Sequence, residues 1–196
     1  MNNKESGLIY SFASLYYIIM ELVCALNFKD TLFNTYTFHT ISELGIPNSN
    51  SPLFFLMNSA FILIGLTVIF NNFTKFKDFI TRNKIIFYVL TLVTGIGVII
   101  VGLIHGGNPI TSGYHTLGAV MSILGGNILL IIISKSTTNF KKYEKITFIL
   151  GIIGLTAFWI MFFIIGNKYM PVFERLSVYT TVLWNLVTGI YLLRSN

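Results

Sequence analysis

The side chains most capable of chemistry in this sequence are few, and most stand in three short polar stretches between long apolar runs. They are His39, Ser42, Glu43, His105, His115, Glu174 and Arg175. Imidazole, hydroxyl and carboxylate groups together can transfer protons or activate a nucleophile, and a guanidinium can hold an anion. Their joint chemistry depends on whether the apolar runs bring the three stretches to one place.

One possible reaction class is nucleophilic catalysis, which needs a serine beside a histidine and a carboxylate to orient the imidazole. Ser42 is the candidate nucleophile, His39 or His115 the base, and Glu43 or Glu174 the orienting carboxylate. His39 and Ser42 are three residues apart and would share a face if their segment is helical. We therefore take His39, Ser42, His115 and Glu174 as candidate catalytic residues, although no Gly-x-Ser-x-Gly turn surrounds Ser42.

Two other site chemistries fit the same residues. Three histidines and a carboxylate suit a hydrolytic zinc site, which takes three protein ligands and keeps one position for water. No His-Glu-x-x-His spacing is present, so we predict no cofactor and keep zinc as an open alternative. In a recognition site, Arg175 and the histidines would hold the phosphate or carboxylate of a lipid headgroup.

Glu21 differs from the other candidates because it lies within an apolar run. An ionisable group inside a membrane costs about 2.5–3.5 kcal/mol on insertion scales and is expected to face the interior with a partner. The candidate partners are Asn58, a histidine or Arg175. We count Arg175, Glu21, Asn58 and His105 as candidate ligand-binding residues.

Each candidate also has a purely structural interpretation. The histidines can be interfacial side chains whose polar tips reach water, and Arg175 can extend to water from a helix end. Ser42 can cap a short helix, and Glu21 can make a structural hydrogen bond. The residues alone leave these interpretations open beside the functional ones.

The composition indicates that the chain lies in a membrane rather than in water. Its 196 residues are 54% hydrophobic and 10% charged, with a mean hydropathy of +0.76, whereas soluble domains carry about 25% charge. A water-soluble domain is excluded. Apolar runs long enough to cross a bilayer occupy about 8–28, 53–70, 85–104, 116–134, 146–165 and 178–193. We predict an all-α, polytopic membrane protein: one domain, a bundle of six transmembrane helices.

The distribution of basic residues predicts the orientation of this bundle, because Lys and Arg in short loops stay on the cytoplasmic side. With the N-terminus inside, the inner segments hold ten basic residues against three acidic ones. Both termini are therefore expected to be cytoplasmic, and the three polar stretches to lie at the outer face. The excess of Lys and Arg is explained by the orientation of the bundle and does not require a nucleic-acid partner. We therefore expect a multi-pass protein of the cell membrane in contact with lipid, and no nucleic-acid partner.

Small and amide side chains within the apolar runs are typical of helix packing. Gly95-x-Gly97, Ser122-x-x-x-Gly126 and Gly151-x-x-Gly154 place small residues where helices can approach closely. Asn58, Asn127 and Asn185 are predicted to make hydrogen bonds between helices. These positions predict structure rather than chemistry.

Several of the same residues form a pattern that resembles a known family. The segment His39-x-x-Ser42-x-Leu44-Gly45 is followed by Ser51-Pro52, Asn58 and Gly65, and later by Gly97, Gly102, His115, Glu174-Arg175 and Trp184. This pattern resembles the prokaryotic membrane proteins grouped as domain of unknown function 998. The resemblance implies six spans and no settled activity. It adds weight to His39, Ser42, His115, Glu174 and Arg175 as a shared outer cluster, and does not extend to His105 or Glu21.

Together these observations predict a site at the outer face that binds or processes a lipid headgroup or another small anionic envelope molecule. The alternative is a non-enzymatic accessory or stability partner of another membrane protein, which would use the small-residue faces of the helices. A metal-dependent membrane hydrolase is the third possibility.

Overall fold

The computed structural model describes residues 1–48, 50–137 and 141–195, without the side chains of Lys141 and Lys142, two of the basic residues in the predicted inner segments. Seven α-helices occur in these residues, and no strand. They are α1 Asn3–Leu26, α2 Leu32–Phe38, α3 Phe54–Thr74, α4 Lys84–Leu103, α5 Ser112–Ser136, α6 Lys141–Phe163 and α7 Met170–Arg194. Two 3-10 turns, Ser42–Gly45 and Phe76–Phe79, lie in the connections after α2 and α3.

All helices except α2 are long and apolar enough to cross a membrane. The predicted all-α, six-span architecture is confirmed. Five of the six long helices, all except α3, begin before their predicted apolar runs, because polar residues start them as well. Asn2 caps α1 and forms a capping box with Glu5, and α7 begins at Met170 rather than 178, with Pro171 in its first turn. Glu174 and Arg175 are therefore helical residues, not loop residues.

The six long helices form a closed ring in which neighbours along the chain pack together and α1 contacts both α3 and α7. The two termini meet at one end, where the Asn3 side-chain amide donates a hydrogen bond to the Ser195 carbonyl at 3.0 Å. We name the opposite end the distal end, and residues 27–53, which include α2, the distal segment. An even number of crossings places both termini on one side of the membrane.

Glycines allow several of the helix pairs to approach closely, as predicted. A Cβ atom on Gly97 of α4 would lie 2.7 Å from the Gly118 carbonyl oxygen of α5, and one on Gly7 of α1 would lie 2.8 Å from the Gly189 carbonyl oxygen of α7. Gly126 faces Thr181 inside the bundle. These small residues are thus used for packing within the protein.

The predicted hydrogen bond between helices occurs at one of the three asparagines, Asn127. Asn127 of α5 donates to the Ser177 carbonyl of α7 at 3.1 Å and accepts from the Thr180 hydroxyl at 2.6 Å. Asn58 instead bonds the Gly45 carbonyl of a 3-10 turn and lies within hydrogen-bond distance of His105 in the connection after α4. Asn185 is fully buried, but its side-chain oxygen has no partner among the described residues, so the prediction is wrong for Asn185.

Gly189→Ala tests the close contact of α1 with α7. The new methyl group would lie 2.7 Å from the Ser11 backbone nitrogen and 2.8 Å from the Gly7 carbonyl oxygen, and such overpacking costs about 1–3 kcal/mol. We expect a melting temperature in detergent several degrees lower. Gly113→Ala is the control, because nothing lies within 4 Å of its added methyl group; equal melting temperatures for the two variants would contradict the packing described.

Candidate functional site

A buried ion pair joins the first and last helices near the distal end. Arg175 Nε of α7 donates to Glu21 Oε1 of α1 at 3.0 Å, and both side chains are nearly inaccessible. The Tyr179 hydroxyl donates to Glu21 Oε2 at 2.7 Å. Arg175 was one of three partners predicted for Glu21, and that alternative is confirmed. Tyr179 was missed, although it follows Arg175 by one helical turn and so shares its face.

The same arginine holds the distal segment onto the bundle. One terminal nitrogen, Nη1, donates to the backbone carbonyls of Tyr36, at 3.1 Å, and of His39. The guanidinium also lies over the Tyr36 ring, 4.9 Å from its centre. Partial burial raises the pKa of Tyr36, and the nearby Glu21 carboxylate adds to this shift. Arg175 Nη2 is buried and has no hydrogen-bond partner among the described residues.

Glu174 points elsewhere, as expected for a sequence neighbour on a helix. Its Oε2 accepts a hydrogen bond from the Ile41 backbone N–H at 3.0 Å, a second tie between α7 and the distal segment. Glu174 is 9% exposed, and no described group bonds its other oxygen. The predicted cluster is thus assembled partly through backbone groups, which residue types cannot reveal.

His39 lies in a more exposed group, on extended backbone rather than in a helix shared with Ser42. Its two ring nitrogens lie 2.7 Å from Glu43 Oε2 and 3.2 Å from Asp30 Oδ2. Hydrogen bonds donated to Asp30, foremost from the Asn34 amide, lower the pKa of that carboxyl group. Both nitrogens of His39 are therefore engaged by carboxylates.

Ser42 has a different neighbour from the one that nucleophilic catalysis requires. Its hydroxyl lies 3.2 Å from the Thr40 hydroxyl, and within the described residues neither His39 nor His115 hydrogen-bonds it. Ser42 instead lines a cavity in the bundle together with Glu174. The structure brings Ser42 close to the carboxylate, but not to a base.

His105 and His115 form a separate group at the distal end. The Asn58 amide nitrogen lies 3.1 Å from His105 Nε2 and donates to the Gly45 carbonyl at 2.9 Å. His115 is buried, and its Nδ1 donates a hydrogen bond to the Ile104 carbonyl oxygen at 2.6 Å. The three polar stretches therefore converge only in part. The first stretch contacts α7 at one place, through Glu174 and Arg175. It meets the second stretch at another place, through Asn58.

The histidine and carboxylate side chains of the described residues are also too far apart to form a metal site. No group of three or more His, Cys, Asp or Glu residues in the described parts of the chain has an arrangement that could hold a metal ion. The zinc alternative thus has no ready set of ligands in this conformation.

A cavity of about 60 Å³ lies inside the ring and extends from Glu174 and Ser42 towards the bundle centre. One ordered water needs about 10–15 Å³ on this measure. Apolar residues make up most of its lining, and Glu174 is the one charged residue among the described residues that form it. Three lining side chains carry a buried polar atom without a partner in the described structure: Tyr17 Oη, Thr94 Oγ1 and Asn185 Oδ1. Such atoms cost about 1–3 kcal/mol each when left unsatisfied.

None of these three residues was predicted from the sequence to belong to a site. For Asn185 a signal existed, since an amide within a span needs a partner. Tyr17 and Thr94 carry no comparable signal, because tyrosine and threonine are frequent and inexpensive in spanning helices.

Arg175→Met tests the importance of the buried pair. It leaves the Glu21 charge buried with only Tyr179, and breaking one side of a buried pair costs about 3–5 kcal/mol. We expect a large drop in thermal stability in detergent, and partial recovery in the double variant Glu21→Met/Arg175→Met. Asp30→Asn alters an exposed pair and should change little. If Arg175→Met is no more destabilising than Asp30→Asn, the pair does not hold the structure together.

Comparisons with known proteins agree with the family that the sequence pattern resembles. A family model described as protein of unknown function (DUF998) matches residues 15–191 of the 196. No curated protein and no solved structure matches the chain. The family match covers all the candidate site residues, the second half of the first span and all or most of each of the other five spans. This multi-pass membrane protein therefore belongs to the DUF998 family of proteins of unknown function.

Proposed function

We propose that the protein binds a lipid-like amphiphile, with the polar end at the distal end of the bundle and the apolar chain in the cavity. The observation that carries the proposal is the position of Glu174 and Ser42. Both line one end of a cavity whose lining is otherwise mostly apolar. Binding sites of this kind combine an apolar surface with a few convergent polar groups that fix the orientation of the ligand.

The charges at the cavity favour a ligand whose polar end donates hydrogen bonds, such as a hydroxyl or an amine. Glu174 is the charged residue in the described lining, and its free oxygen can accept a hydrogen bond. Arg175, which sequence analysis assigned to an anion, is paired with Glu21 and bonded to backbone carbonyls. A neutral or cationic polar end is therefore favoured over an anionic one.

An anionic headgroup is the second candidate, and one observation favours it. Arg175 Nη2 is a buried donor without a partner among the described residues, and a phosphate or carboxylate oxygen would satisfy it. Arg175 is not among the residues that line the cavity. This ligand would have to approach through the contacts that Arg175 makes with the distal segment.

The proposal concerns binding rather than catalysis. Ser42 lacks contact with a histidine, and both ring nitrogens of His39 are engaged by Asp30 and Glu43. A bound amphiphile would still be presented at the membrane surface, where another protein could use it or where this protein could hold it in store.

We further propose that the distal end faces the outside of the cell membrane. The support is the excess of Lys and Arg in the segments at the terminal end, which predicts cytoplasmic termini. The ligand would then enter from the outer leaflet.

Cysteine labelling tests this orientation. In a Cys24→Ser background, Lys168→Cys lies between α6 and α7 at the distal end, and Lys77→Cys lies in the 3-10 turn at the terminal end. A membrane-impermeant maleimide should label Lys168→Cys in intact cells and Lys77→Cys only after permeabilisation. The reverse pattern would overturn the proposed orientation.

Glu174→Gln tests the ligand chemistry through the direction of its effect. Loss of the carboxylate charge should weaken binding of a cationic or hydroxyl-bearing amphiphile by about tenfold to a hundredfold, the range for hydrogen bonds to charged groups. Native mass spectrometry with a long-chain amine and the matching fatty acid measures this change. Glu43→Gln is the matched control, since Glu43 lies at the distal end, bonds His39 and does not line the cavity.

Two results would contradict the proposal. Tighter binding of the fatty acid to Glu174→Gln than of the amine to the wild type would support the anionic alternative. Equal effects of Glu174→Gln and Glu43→Gln would show that the cavity mouth does not hold the polar end.

A further inference from the structure

Residues that carry an unpartnered polar atom lie along the cavity, not only at its mouth. Asn185 and Thr94 line the cavity and are 2% and 4% exposed, and Asn185 Oδ1 and Thr94 Oγ1 are buried without a partner in the described structure. Glu174 and Asn185 are eleven residues apart on α7, which is about 16 Å along the helix axis. Asn185 therefore marks a second polar position, deep in the bundle, on the same helix as the first.

Thr94 and Asn185 belong to the same deep part of the cavity. Methyl groups of Thr94 and Thr181 both approach Gly126 of α5, at 3.3 and 2.9 Å from the position of an added Cβ atom. Asn185 follows Thr181 by one turn of α7. Each of Thr94 and Asn185 also lies about half-way along its helix, so α4 and α7 present these unpartnered atoms at a similar depth.

Apolar side chains separate the two polar positions. Val178 and Val182 lie between Glu174 and Asn185 on α7, and Val98 and Val101 continue from Thr94 on α4. A buried water needs two to four polar partners. In this stretch the Ser122 and Thr181 hydroxyls already donate to carbonyls of their own helices, and Tyr17 Oη is a single unpartnered group. Water suits the two ends of the cavity, and a hydrocarbon chain suits the stretch between them.

We propose that the ligand is a single-chain amphiphile with a second hydrogen-bonding group, a hydroxyl, about 16 Å from its polar end. The hydroxyl donates to Asn185 Oδ1 and accepts from the Thr94 hydroxyl, because it is both a donor and an acceptor. The volume of about 60 Å³ admits a slender chain and excludes a bulky ring system. This inference rests on the proposed function and specifies the ligand class.

The test compares a long-chain α,ω-diol with the primary alcohol of the same chain length, using native mass spectrometry of the full-length protein in detergent. The wild type should bind the diol about three- to tenfold more tightly, the gain from one net hydrogen bond. Thr94→Val and Asn185→Leu should each remove this preference, because each deletes one hydrogen-bond partner of the second hydroxyl.

Thr181→Val is the matched control for Thr94→Val. Thr181 also lines the cavity, but its hydroxyl already donates to the Val178 carbonyl at 2.8 Å. The diol preference should persist in this variant. Thr→Val replaces a hydroxyl by a methyl group of similar size, so the comparison holds even if Asn185→Leu does not fold.

The outcomes separate this inference from the proposed function. Equal wild-type affinity for diol and alcohol, with weaker binding of both to Glu174→Gln, would overturn the deep hydroxyl site and leave the proposed function in place. A diol preference that persists in Thr94→Val would also overturn the inference. Failure of both probes to bind the wild type, with no effect of Glu174→Gln, would overturn the two proposals together.

Discussion

The structure depends on one buried ion pair. Glu21 is too costly to leave unpaired inside a membrane, and Arg175 neutralises it across the contact of α1 with α7. The same guanidinium donates to backbone carbonyls of Tyr36 and His39. One side chain therefore closes the helix ring near the distal end and also fixes the distal segment over it.

This constraint also shapes the cavity. With Arg175 turned towards Glu21, its neighbour Glu174 faces the inside of the ring and binds the Ile41 backbone, which places Ser42 beside it. The distal segment thus covers a mostly apolar space whose mouth carries a carboxylate and a hydroxyl. A polar mouth over an apolar interior matches the two parts of an amphiphile, so the cost of burying Glu21 and the shape of the proposed site have a common origin.

The sequence predicted those features that depend on the cost of placing residues in lipid. The six spans, the need of Glu21 for a partner, with Arg175 as one of three candidates, and the interhelical bonds of Asn127 all belong to this class. It could not predict which histidines meet, since His39 and His115 are separated by the packing order of the helices and by contacts to backbone carbonyls. The unpartnered oxygen of Asn185 was also beyond reach, because residue type predicts that an amide needs a partner but not where the partner is missing.

The central claim is that the cavity holds a chain that reaches from Glu174 to Asn185. The most direct measurement is an experimental structure of the protein in a bilayer of its native lipids, with an antibody fragment bound for cryo-electron microscopy. The account predicts continuous, slender density between these two residues, in contact with Thr94. A cavity closed by its own side chains, with Asn185 bonded to protein, or one containing only isolated water peaks, would contradict the claim.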